Sequence, residues 1–145
     1  MQNNIFQENA RVIVTKKIAD NTFETTLFSP NISSHVRPGQ FINILPSDDW
    51  PYIMRRPMSV ASQNNDSLSI IYKVVGEGTR LMKNWSIDEV VNILGPLGNF
   101  WTEYDQYEPI LIGGGVGIAP IINLKNHLDD LNINCNLIMG SRTES

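Results

Sequence analysis

Three short groups of residues have the types and spacing suited to holding a phosphate-bearing ligand. The first is Arg55-Arg56-Pro57-Met58-Ser59. A guanidinium fork can give two parallel hydrogen bonds to a phosphate, and a hydrogen bond to a charged group is worth roughly 1.5–3 kcal/mol. Ser59 adds a hydroxyl that both donates and accepts. Taken alone, the same residues describe two surface arginines before an ordinary strand, and that plainer reading carries more weight. The second group is Gly76-Glu77-Gly78-Thr79, which collects unshielded N–H groups at the positive end of a helix dipole. A plain helix-capping turn has the same sequence. The order of the groups shifts the balance. An Arg-x-x-Ser turn precedes the strand Ile70-Ile71-Tyr72-Lys73, and a Gly-x-Gly-Thr helix start follows it, so each can meet one diphosphate.

The third group is Gly113-Gly114-Gly115-Val116-Gly117-Ile118-Ala119-Pro120. It follows the all-apolar run Ile110-Leu111-Ile112 and precedes an amphipathic helix, which is the context a dinucleotide fingerprint requires. Gly113, Gly114, Gly115 and Gly117 let the backbone approach a pyrophosphate, and Pro120 suits a first helical turn. Nucleotide binding is favoured here over a purely structural turn. No acidic residue ends the second strand, where a partner for an NAD ribose is expected. Gly140-Ser141-Arg142 stands there instead, so NADH and NADPH both remain open, with Arg142 meeting a 2′-phosphate or facing solvent.

Other polar residues add little. His35 and His127 are far apart, with no carboxylate or cysteine at ligand-like spacing, so no metal site is expected. His127 reads as a surface residue of a helix. Tyr72 and Trp101 could cover a flavin ring, although aromatic residues at strand ends are more often core or rim. No nucleophile–base pair is visible, and no catalytic residue is assigned.

The elements that must position these groups are mostly strands. From Ala10 to Leu97, short β-type runs alternate with turn residues, as in an antiparallel barrel. The expected strands are Arg11 to Ile18, Thr22 to Phe28, Phe41 to Leu45, Met58 to Ala61, Leu68 to Val74 and Val90 to Leu94. One helical interruption is expected after Val75, capped by Thr79. From Glu108 onward, Ile110 to Ile112 reads as a buried strand. Ile121, Leu124, Leu128 and Leu131 recur at helical spacing, and Asn134 to Met139 reads as a second strand containing Cys135. The expected fold is a six-stranded antiparallel β barrel followed by α/β, the latter a first βαβ unit of a Rossmann-like domain. The domains would be residues 1–103 and 108–145.

Composition narrows the function classes. The chain has 145 residues, with 11 basic and 15 acidic, a net charge of −4 and no basic block, which argues against nucleic-acid binding. A single cysteine, Cys135, allows no internal disulfide and no cysteine-ligated metal, and suits a reducing cytoplasm. The polar start lacks a secretory signal pattern, and no apolar run reaches the ~20 residues of a membrane-spanning helix.

Taken together, Arg56-Pro57-Met58-Ser59, Ile71-Tyr72-Lys73, Gly76-Glu77-Gly78-Thr79, Gly95-Pro96-Leu97-Gly98 and Ile112 to Pro120 resemble the ferredoxin reductase-type flavoproteins. Within them they look most like the electron transfer subunits of dihydroorotate dehydrogenase B. The resemblance covers nearly the whole chain. It implies that Arg56, with Pro57 and Met58, holds the diphosphate of FAD, Ser59 the flavin ring, and Ile71, Tyr72 and Lys73 the middle of the cofactor. Gly78 and Thr79 would complete the cradle, and the turn from Gly113 to Pro120 would receive NAD(H). It further implies a partner, an FMN-bearing dihydroorotate dehydrogenase catalytic subunit of pyrimidine biosynthesis in a heterotetramer, reached through a [2Fe-2S] cluster. The cysteines for that cluster are absent from this chain, which by the resemblance is C-terminally truncated. Two alternatives share the cofactor elements. They are a stand-alone NAD(P)H-dependent flavin or ferredoxin oxidoreductase, and a non-catalytic FAD-binding remnant. A two-stranded parallel sheet also leaves apolar faces bare, so residues 108–145 are expected to be poorly stable alone.

Overall fold

The computed structural model describes residues 4–104 and 106–141. Six antiparallel strands close into a barrel in the order β1-β2-β5-β4-β3-β6. They are β1 (Phe6–Ala19), β2 (Thr22–Phe28), β3 (Phe41–Ile44), β4 (Arg56–Gln63), β5 (Ser67–Lys73) and β6 (Val90–Leu97). Closure removes the edges that an open sheet would expose. Alternate residues from all six strands fill the interior, among them Val12, Leu27, Ile42, Val60, Ile70 and Ile93, all fully buried.

Three strands begin earlier than expected, β5 by one residue, at Ser67. β1 starts at Phe6 because its first half pairs with β6, from Phe6 opposite Gly95 to Arg11 opposite Val90, while its second half pairs with β2. β4 starts at Arg56, so Arg56 and Pro57 lie within the strand, opposite Ile44 and Asn43, rather than in a turn before it.

Helix α1 (Pro30–Ser33) has no counterpart in the sequence expectation. Its N-cap residue, Ser29, makes no side-chain cap. Glu8 of β1 supplies it instead, accepting hydrogen bonds from the Ser29 hydroxyl at 2.6 Å and the Ile32 N–H at 3.2 Å. Helix α2 spans Glu77–Met82, starting two residues before Thr79. Thr79 is therefore not the N-cap. Its hydroxyl reaches back from the third helical position to accept from Gly76 N at 3.2 Å and Val75 N at 3.1 Å.

After β6 the chain enters a parallel two-stranded sheet, β7 (Ile110–Gly114) and β8 (Asn136–Gly140), joined by a 3-10 turn (Gly115–Gly117) and α3 (Ile118–Asp130). β8 starts one residue after Cys135, which packs half-buried beside it. Leu111, Leu124 and Leu128 form a small core there, whereas Leu131 ends the helix and is 49% exposed. The sheet face away from α3 is bare, with Ile110 64%, Ile112 67% and Ile138 54% exposed.

Candidate functional site

The β4–β5 ladder runs from Gln63 opposite Leu68 to Val60 opposite Ile70 and stops there. Beyond it, Arg56–Ser59 and Ile71–Lys73 separate, and these are two of the segments singled out in the sequence. The parting has a backbone consequence. Val60 N–H donates to Gln40 O at 3.2 Å, toward β3. Alternation along an antiparallel strand then turns the nitrogens of Pro57 and Ser59 the other way, toward the side β5 has left. Pro57 therefore removes no ladder bond, which is why a proline is tolerated inside β4.

The two arginines divide their work. Arg55 donates to the carbonyl and side-chain oxygens of Asn92 on β6, so it ties β4 to the barrel wall. Arg56 lies with its guanidinium 4.7 Å from the ring centre of Trp50 and donates to Met54 O at 3.3 Å. Its flank lies against Gly78. A Cβ there would come within 2.9 Å of Arg56 Nε and 3.2 Å of Pro46 Cγ. Gly78 is thus required for the close approach of α2 to Arg56, and Thr79 fixes the turn that delivers it.

Met58 and Val60 face the barrel interior, which puts Pro57 and Ser59 on its outer surface. Ser59 is half-buried, and among the described residues its hydroxyl has no partner. Helix α3 packs against this same strand, and the Gly115–Gly117 turn lies against β5. Ile71 is half-buried on the outer face and Lys73 is exposed at the strand end. The side chain of Tyr72 points the other way. It is 2% exposed, stacks on Phe23 with ring centres 6.3 Å apart and shares a 3.1 Å hydrogen bond with Thr25. Burial pushes its pKa up to about 12, while the Thr25 hydrogen bond pulls it down. Tyr72 can offer a ligand its backbone but not its ring, in keeping with the core reading of an aromatic residue near a strand end.

The glycine turn has a division of its own. Gly113 and Gly114 belong to β7, paired with Met139 and Gly140. A Cβ on Gly113 would lie 3.2 Å from Ile121 and 3.3 Å from the Ile118 backbone, so this position sets the helix-to-strand distance. Gly115 has φ +55°, where other residues are strained. Gly117 has nothing within 4 Å and stands open at the start of α3.

Trp101 belongs elsewhere. Its N–H donates to Pro38 O at 3.1 Å, and it lines a cleft of about 660 Å³ with Arg37, Gln63, Tyr104 and His127, none of which joins the groups above. His127 is half-buried rather than a surface residue, with Nε2 2.8 Å from the Tyr104 hydroxyl. Arg142 lies outside the described residues. No cluster of metal-ligating side chains occurs among the described residues, and none of their helices is long and apolar enough to cross a membrane. What the sequence did not single out is the loop from Trp50 to Met54, which borders Arg56.

No protein-family model matches the chain. It is similar to two proteins named dihydroorotate dehydrogenase B (NAD(+)), electron transfer subunit. That of Lysinibacillus sphaericus is 34% identical over 145 residues, 97% of this chain and 56% of that protein. That of Bacillus velezensis is 35% identical over 130 residues, 86% of this chain and 50% of that protein. The chain thus spans about half the length of the curated relatives it matches. Among solved structures, a chain of an NADH-dependent reduced ferredoxin-NADP oxidoreductase, studied for flavin-based electron bifurcation, superposes with a TM-score of 0.83 at 30% identity. That match covers 94% of this chain and 50% of the other. In sequence the chain is similar to relatives named as electron transfer subunits of dihydroorotate dehydrogenase B, and in fold it is similar to that ferredoxin-NADP oxidoreductase chain.

Proposed function

We propose that this chain holds FAD in its barrel, receives a nicotinamide dinucleotide at its glycine turn, and serves as the flavin-bearing part of an electron transfer subunit. One observation carries the reading. β4 and β5 part beyond Val60 and Ile70, Arg56 at the parted end of β4 lies against Gly78, and the Gly115–Gly117 turn lies against β5. The donor set fits the cofactor: a guanidinium against a glycine for a diphosphate, and a free hydroxyl with a free N–H at Ser59 for a flavin ring edge. Pro57 and Met58 hold that pair in place, Ile71 and Lys73 with the Tyr72 backbone line the opposite strand, and Thr79 fixes the turn. Bound FAD supplies hydride acceptance, and this chain's residues bind and orient it. Gly113, Gly114, Gly115 and Gly117 would admit the nicotinamide dinucleotide.

The domain division, 1–103 for FAD and 108–145 for the start of an NAD-binding unit, is part of this reading. So are a cytoplasmic setting and a partner that oxidises dihydroorotate on FMN in pyrimidine biosynthesis. A [2Fe-2S] cluster does not fit this chain, which has one cysteine, so no electron path is drawn through one.

Flavin titration tests the proposal. FAD should bind. Arg56→Ala should weaken it roughly 10- to 100-fold, as the loss of charged hydrogen bonds to phosphate implies. Arg55→Ala should instead lower stability and leave affinity within a few-fold. Failure to bind FAD, or equal effects of the two substitutions, would sink the assignment. Bleaching of bound flavin by NADH tests the second half, and its dependence on the dihydroorotate-oxidising partner separates a subunit from a stand-alone reductase.

A further inference from the structure

The cleft that Trp101 lines, of about 660 Å³, opens at the end of β4 opposite Arg56, between the barrel and the end of α3. Its walls are held by the fold. Gln40, 1% exposed, ties the turn after α1 to the residue just past β6, its Oε1 accepting from the Arg37 N–H at 2.9 Å and its Nε2 donating to Gly98 O at 3.1 Å. Gly39, at φ +100°, admits the Trp101 ring, since a Cβ there would come within 3.2 Å of the indole. The Arg37 guanidinium lies 4.4 Å from the ring centre of Phe100. On the α3 side, Tyr104 meets His127 edge to face, with ring centres 5.7 Å apart and the hydroxyl 2.8 Å from Nε2.

Two polar groups on these walls lack a counterpart. Among the described residues no carboxylate pairs with Arg37, although its stacking on Phe100 holds the planar fork in place. Gln63 Oε1 is buried without a donor, and a half-turn of the amide exchanges it with Nε2, so the side chain can offer the cleft an acceptor. We infer that this cleft binds a small aromatic carboxylate, with the carboxylate on Arg37 and the ring between Trp101 and Tyr104. A guanidinium fork meets a carboxylate in two parallel hydrogen bonds. Aromatic walls recognise a flat ring by its faces, and Val36, Leu131 and Ile133 supply an apolar surround. The unmet Gln63 oxygen favours a ring that carries its own donor. The volume lies within the range of about 300–1,000 Å³ common to small-molecule sites. Glu103, exposed, is the one carboxylate among the described lining residues, and it opposes an anion. The cleft shares no residue with the proposed FAD and dinucleotide positions, so it stands or falls separately from them. A ligand seated there bridges the barrel and α3, and should therefore stabilise the β7–α3–β8 unit against opening.

The discriminating measurement titrates the full chain with para-hydroxybenzoate and with para-hydroxybenzamide, which keeps the shape and loses the charge. Calorimetry gives the affinity, and the NMR shift of the Trp101 indole reports the place. The carboxylate should saturate one site at submillimolar concentration, and the amide should bind roughly tenfold more weakly. Arg37→Ala should remove that difference by weakening the carboxylate alone. Arg37→Lys, which keeps the charge without the fork, should fall between. Because Arg37 is exposed, neither substitution should prevent folding, and an unchanged thermal midpoint without ligand checks this. Glu103→Gln removes an opposing charge and should tighten the carboxylate about twofold. In hydrogen exchange, saturating carboxylate should raise the protection of α3 in wild type. Absence of saturable binding, equal affinity for the amide, a carboxylate affinity that Arg37→Ala leaves unchanged, or binding that moves neither the Trp101 indole nor the protection of α3 would each overturn the inference. None of these outcomes bears on whether the barrel holds FAD.

Discussion

At the scale of single residues, adjacent identical side chains carry different duties. Arg55 and Arg56 cannot be distinguished in sequence, but strand alternation sends one to Asn92 on β6 and the other to Gly78. The glycines of the turn divide similarly, and this yields a test. Gly115→Ala strains a φ of +55° and should cost about 1–2 kcal/mol of local stability. Gly117→Ala meets nothing within 4 Å, at a φ of −66° that any residue adopts, so α3 should keep its stability. If the backbone there approaches a pyrophosphate, Gly117→Ala should still slow flavin reduction by NADH at least tenfold. An unchanged rate in stopped-flow reduction would show that Gly117 serves no ligand. Tyr72 makes a pH prediction. Its pKa stands above the ordinary 10.0, so the fold favours the neutral phenol. That contribution is complete below pH 10 and is lost as pH rises toward about 12. Urea midpoints should fall more steeply across this window for wild type than for Tyr72→Phe, whose loss leaves Thr25 bonded to Thr15 at 3.0 Å.

At the scale of elements, the parting of β4 and β5 matters most. A register shift between Val60 and Ser62 bends β4 just before the ladder stops, and a bulge of this kind re-aims a strand. The unit of β7, α3 and β8 is the weak element. Its buried core is only Leu111, Leu124 and Leu128, against fifteen buried residues in the barrel cluster. Leu128→Ala, at a fully buried position, should cost about 2–5 kcal/mol and exceed what this unit can lose. Amides from Ile118 to Gly140 should then exchange rapidly while those of β1 and β2 remain protected. Ile93→Ala in the barrel should lower protection throughout. Native-state hydrogen exchange resolves the two patterns.

At the scale of the whole molecule, the barrel is closed and the parallel sheet is open. Closure pairs the strands of the barrel apart from the parted ends of β4 and β5, whereas β7 and β8 turn Ile112, Ile138 and Met139 to solvent. Parallel sheets ordinarily have both faces covered. In the isolated chain, exchange protection for Ile110 to Gly140 should therefore fall well below that of the barrel even without substitution. Protection equal to that of β1 would contradict this. The seam between the two parts, α3 on β4, also brings the glycine turn to β5. Hydride transfer requires close approach of two cofactors, and under the proposed function this seam would set their separation.

Much was legible in the sequence because it is written in local chemistry. Alternation marked the six strands, glycine spacing marked the turn, and a proline-flanked Arg-x-x-Ser marked the approach to β4, though not its start. Helix α1 was not legible, because its cap is Glu8, brought in by the β1–β6 pairing from 21 residues away from Ser29. The placement of Trp50 and Tyr52 was equally hidden, since it depends on Arg56 and Glu77 reaching them across two different connections. The inward turn of Tyr72 was decided by barrel closure, which made one face of β5 the core. Residue types determined which chemistry this chain can offer a phosphate. Only the closed barrel, by fixing which strand ends separate and which faces point outward, decided where that chemistry converges.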